Sequence, residues 1–73
     1  MAHALAAQLL DQCEAARRGG DDFPTIWNGL LRRHPLVTGL PRHAIVGGET
    51  LIVVRLVTGD ELVSSTRGFR LGG

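Results

Sequence analysis

Residues 50–57 read "TLIVVRLV". The β-branched side chains of Thr50, Ile52, Val53, Val54 and Val57 suit a pleated backbone, because a branched Cβ crowds the preceding turn of a helix. Gly47-Gly48 precede the run and Thr58-Gly59-Asp60 follow it. Turn residues at both ends bound a strand. This strand decides how its neighbours are read. "RHAIV" (42–46) lies one tight turn upstream and "ELVSSTRGF" (61–69) one turn downstream. The second half of the chain is therefore predicted to be an antiparallel meander with strands at about 42–46, 50–57 and 61–69.

Upstream of residue 42 the apolar period changes from 2 to 3.6. "AHALAAQLLDQCEAARR" (2–18) holds six alanines and neither Gly nor Pro, and alanine is the strongest helix former. Leu5, Leu9, Cys13 and Ala16 recur at steps of three and four, one stripe of a helix over about 2–18. Arg17 and Arg18 oppose the negative end of its dipole, and Gly19-Gly20 supplies the left-handed stop. A second helix is predicted over about 23–34. Asp22 is its N-cap, and Pro24 fits the first turn, where no N–H is needed. Phe23, Ile26, Trp27, Leu30 and Leu31 form a wide apolar stripe, with Trp27 expected between the helices and the sheet. His34 ends the helix, because Pro35 forces it out of helical geometry. The predicted fold class is α+β: a two-layer α-α-β-β-β arrangement, a helical hairpin on one face of a three-stranded antiparallel meander, with residues 1–73 as one domain.

A chain of 73 residues buries only about 60% of the surface its unfolded form exposes. Small domains supplement such a core with disulfides, a metal or a second subunit. Cys13 is the only cysteine, and no Cys/His spacing suits zinc, so a second subunit is the expected supplement and no cofactor is expected. A formal net charge of +1 gives no global field for a polyanion. Every basic Lys/Arg position is Arg, which, with abundant Ala, Gly and Val, points to GC-rich bacterial coding. Leu9 and Leu10 run straight into Asp11, Glu14 and Arg17, unlike a signal peptide. No apolar run approaches the roughly 20 residues of a membrane span. A soluble cytoplasmic protein without membrane contact is the expectation.

Two short likenesses bear on function. The end of the chain, Arg70-Leu71-Gly72-Gly73, resembles that of ubiquitin-like carriers, but those begin with a β-hairpin and here both helices come before any strand. Val54–Phe69 resembles the first motif of the Sm and Hfq RNA-binding proteins at Val54, Leu56, Gly59, Leu62, Gly68 and Phe69. It departs at Ser64, where that family has glycine, and at Arg70, where it has an acidic residue. The second motif, which carries RNA-contacting residues, has no counterpart, so no functional residue is carried over.

Catalytic groups do not converge. Cys13 sits mid-stripe beside Glu14, away from any cation that would stabilise a thiolate, and reads as a buried structural thiol. His3, His34 and His43 fall on separate elements, and Asp22 is occupied as a cap. No enzymatic activity and no catalytic or metal-binding residues are expected. Two surfaces remain. The central strand is apolar on both sides: Ile52, Val54 and Leu56 are assigned to the helices, leaving Leu51, Val53 and Val57 as a candidate interface. An antiparallel sheet ordinarily keeps its second face polar, so a partner is expected there, most simply a second copy in a twofold dimer. The other surface is basic: Arg32, Arg33, Arg42 and His43 occupy a stretch without an acidic residue. The first reading is a self-associating protein-interaction module, and the alternative is a nucleic-acid-binding module using the Arg/His patch.

Overall fold

The computed structural model describes residues 2–72. Helix α1 (Ala2–Arg18) is followed by α2 (Phe23–Ile26), which continues as a π-helical turn (Trp27–Leu31). Four strands then follow: β1 (Arg42–Val46), β2 (Glu49–Arg55), β3 (Glu61–Ser65) and β4 (Gly68–Gly72). They make one antiparallel sheet in the order β1-β2-β3-β4. The class is α+β, with four strands where the sequence suggests three.

The extra strand comes from a break inside the predicted 61–69 run. At Thr66-Arg67 the chain reverses. The Ser65 hydroxyl accepts from the Arg67 N–H at 3.1 Å, and Gly68 takes φ 133°, a value open to glycine and strained for other residues. Phe69 then returns opposite Ser64, Arg70 opposite Val63 and Leu71 opposite Leu62. Two glycines in a five-residue strand mask its β character at sequence level. Gly73 lies outside the described residues.

The helix ends follow the local chemistry. Gly20 has φ 102°; its N–H bonds the Arg17 carbonyl at 2.9 Å, and the Asp21 N–H bonds the Ala16 carbonyl at 3.1 Å. That pair of bonds is a Schellman stop. Asp22 accepts from the Thr25 N–H at 3.0 Å, the N-cap bond. One feature of the second helix departs from expectation. The Arg32 N–H reaches back five residues to the Trp27 carbonyl at 2.7 Å. The added residue in that turn rotates the apolar stripe, so Ile26 and Leu31 are buried while Trp27 is only half-buried. Trp27 lies against the rim of the core and stacks on Phe23, with ring centroids 6.5 Å apart and planes at 17°.

The main core joins Leu9 and Cys13 of α1, Ile26 and Leu31, and Val54, Leu62 and Phe69 of the sheet. Cross-strand partners share a face, so the pairs Val54↔Leu62, Ser64↔Phe69 and Leu62↔Leu71 define the face turned to the helices. The connector between the helices and the sheet, residues 36–41, docks beside β2: Thr38 N–H bonds the Arg55 carbonyl at 2.9 Å, and Val57 N–H bonds the Leu36 carbonyl at 2.7 Å. It thereby prolongs the lane of β1 along the β2 edge and lies in line with the sheet.

Candidate interaction surfaces

The two edges of the sheet are built differently. At the β4 edge, the two-residue turn Thr66-Arg67 is closed by the pair Ser65↔Gly68. Bonded and non-bonded pairs alternate along an antiparallel ladder, so the next residue, Phe69, aims its N–H away from β3. The Glu14 carboxylate of α1 accepts that N–H at 2.7 Å. One helical turn further on, Arg17 donates to the carbonyls of Ser65, at 3.2 Å, and Thr66. Helix α1 therefore occupies the first outward N–H of the β4 edge and the carbonyls at the turn before it.

The β1 edge has no such cover among the described residues. Gly47 and Gly48, with φ 58° and 80°, make the two-residue turn that joins β1 to β2, and both positive angles fit type I′. Val46↔Glu49 closes this hairpin, and Ala44↔Leu51 and Arg42↔Val53 repeat its phase. The intervening His43 and Ile45 therefore point their N–H and C=O groups outward. No fifth strand pairs with them among the described residues. Apolar side chains surround this edge: Leu40 is 85% exposed, Ile45 76% and Val46 61%. Natural edges are ordinarily blunted by charge, a bulge or a covering element.

The back face differs from the sequence expectation. Leu51 and Val53 are only 7% and 6% exposed and cluster with Val63 and Ala44. Val57, at 61% exposed, lies beyond the end of β2, so the three candidates Leu51, Val53 and Val57 do not form one patch. Neither the connector nor β4 lies across this face. Register supplies the cover instead. The row Arg42–Val53–Val63–Arg70 carries an arginine at each end, and the adjoining row sets Arg55 opposite Glu61. Long charged side chains lay their aliphatic stems over neighbouring apolar groups. Glu61 holds Arg42 at 2.5 Å and Arg55 at 3.8 Å. Sequence reasoning missed Val63 and Arg70 as members of this surface; both become visible once β4 is recognised.

Alternation also divides the basic patch. His43 pairs with Ile52 on the helix-side face, whereas Arg42 pairs with Val53 on the back face and is engaged by Glu61. Arg32 and Arg33 are exposed after the π-helical turn.

Three titratable groups, Cys13, Asp22 and Glu49, are shifted by their surroundings. Burial, with the neighbouring Glu14 charge, pushes the Cys13 thiol up to about 11, so it stays protonated and unreactive near neutrality. The bond from Thr25 holds Asp22 below its ordinary range. Glu49 is likewise lowered, first by the Thr66 hydroxyl and then by the Thr66 N–H, at 2.8 and 3.1 Å. Among the described residues no group of three or more His, Cys, Asp or Glu could hold a metal ion, and no helix is long and apolar enough to cross a membrane.

No protein family, curated protein or solved structure matches this chain. The likeness to the Sm and Hfq motif is confined to the β2–β3 hairpin and the start of β4.

Proposed function

We propose that this chain is a protein-interaction module that associates through its sheet, with the open edge of β1 as the docking element. The observation that carries this reading is the contrast between the edges: Glu14 occupies the outward N–H of Phe69, while His43 and Ile45 keep theirs free beside exposed Leu40 and Val46. Strand addition at such an edge draws affinity from main-chain hydrogen bonds and specificity from alternate side chains. The nucleic-acid reading has less support, because Arg42 is tied to Glu61 and His43 faces the other side of the sheet. The test is an NMR titration of the labelled chain with a synthetic peptide of residues 40–46. Shifts centred on the amides of His43 and Ile45 are the expected result. Shifts confined to the helices, or none at millimolar peptide, overturn the reading.

A further inference from the structure

We infer that the strand added at the β1 edge is β1 of a second copy, paired antiparallel with Ala44 at the twofold axis. This rests on the reading of β1 as the docking element and names its partner.

The strand is complementary to itself about one point. Its outward residues, His43 and Ile45, flank Ala44 symmetrically, so a twofold axis at Ala44 sets His43 of one copy against Ile45 of the other. Both are outward-facing, so each such pair exchanges both of its backbone bonds. The other registers of the right phase fare worse. Centring on His43 sets Ile45 against Pro41 of the second copy, which has no N–H to give, and sets the two imidazoles against each other. Centring on Ile45 sets His43 against Gly47 of the second copy, whose φ of 58° has left the strand. Only the Ala44 register pairs all five residues of β1 with all five of its mate.

The side chains fit the same register. Ala44 borders the buried back-face cluster of Leu51, Val53 and Val63, so the axis joins two apolar clusters into one through their smallest member. Each Arg42 lies opposite Val46 of the second copy, which keeps the arginines apart, and each is already held by Glu61. On the helix-side face the exposed Ile45 gains the His43 ring as its cross-strand neighbour. Helix α1 makes its main sheet contact with β4, at the far side from β1, so it does not obstruct the join. The product is a continuous eight-stranded sheet, β4-β3-β2-β1 followed by the same order reversed, with both helical layers on one side.

A strip of this size lies at the small end of specific interfaces, so association is measured up to millimolar protein. Sedimentation equilibrium is expected to show a monomer–dimer equilibrium. Cross-linking then reads the register. In a background of Cys13→Ala, Ala44→Cys places two sulfurs across a non-hydrogen-bonded pair, with Cα atoms about 4.5 Å apart and within disulfide range. Under mild oxidation this variant should form covalent dimer at least tenfold more than Ile45→Cys or Val57→Cys, whose exposed positions leave the fold intact. A dimer that cross-links through Ile45→Cys and not Ala44→Cys overturns the register and leaves β1 as the docking element. A chain monomeric at every concentration overturns the second copy as partner. The peptide titration then separates the two failures: β1 shifts leave the edge reading standing, and their absence removes it as well.

Discussion

At the scale of single residues, Glu14 and Arg17 do more than their helix positions require. The spacing of α1 explains Cys13 as a stripe residue and Arg17 as a partner of the helix dipole. In the fold, Glu14 accepts the outward N–H of Phe69 and Arg17 donates to the carbonyls of the β3–β4 turn. A hydrogen bond to a charged group contributes about 1.5–3 kcal/mol when partly buried. Glu14→Ala should therefore destabilise the chain by about that amount, with amide exchange rising first at Phe69. Unchanged melting and exchange would show that the edge bond contributes nothing. Gly68 lies under the same pair. A Cβ there would stand 3.1 Å from Arg17 Nη1 and 3.2 Å from Glu14 Oε1, on a backbone at φ 133°. Gly68→Ala should lower the thermal midpoint through backbone strain as well as crowding. A midpoint equal to that of the natural chain would refute the strain argument.

At the scale of elements, the π-helical turn is the feature with the clearest consequence. Its Gly29 lies within the helical run Trp27–Leu31, and a methyl group added there would meet nothing within 4 Å. Gly29→Ala should therefore stabilise the chain by about 0.5–1 kcal/mol, since alanine loses less backbone entropy on folding. Leu31, fully buried by the same turn, should cost about 2–5 kcal/mol when replaced by Ala. Chemical denaturation of both variants checks the pair, and a destabilised Gly29→Ala would mean that the turn depends on glycine. These elements also show what the sequence discloses. The span and stop of helix α1 were legible, because its alanines and its Gly-Gly act within a few residues of one another, but its buried stripe starts at Ala6 and leaves the expected Leu5 exposed. Asp22 and Pro24 marked the start of α2 for the same reason. The π-helical turn was not legible: Phe23, Ile26, Trp27, Leu30 and Leu31 satisfy an α-helical stripe, so the apolar pattern does not distinguish the longer turn. Strand β4 escaped because its pairing to β3 overrides two glycines. Of the candidate surface, "RHAIV" was readable as a strand, but the split of Arg42 from His43 and the openness of β1 were not, since a face and an edge are defined by the elements that pack on them or fail to.

At the scale of the whole molecule, the β3–β4 turn is held from two directions. Helix α1 reaches it through Arg17, and the foot of β2 reaches it through Glu49, which accepts from both the N–H and the hydroxyl of Thr66. The turn thus ties the helical layer to the hairpin that presents β1. Two of the carboxylates in this framework, Glu49 and Asp22, sit below their ordinary values of 4.5 and 3.8 because the folded chain donates to their charged forms. A group whose folded pKa is depressed contributes stability above its unfolded pKa and loses it as pH falls through the folded value. Stability from these two groups is therefore complete above pH about 5 and declines below about pH 4.5 as the unfolded chain begins to take up protons first. Thermal melts followed by circular dichroism between pH 7 and pH 2 should show a plateau and then a fall in the midpoint. Glu49→Gln should lower the plateau and flatten part of the acid slope, because the substituted amide carries no proton equilibrium. An acid slope identical in the variant and the natural chain would show that the Thr66 bonds do not couple folding to pH.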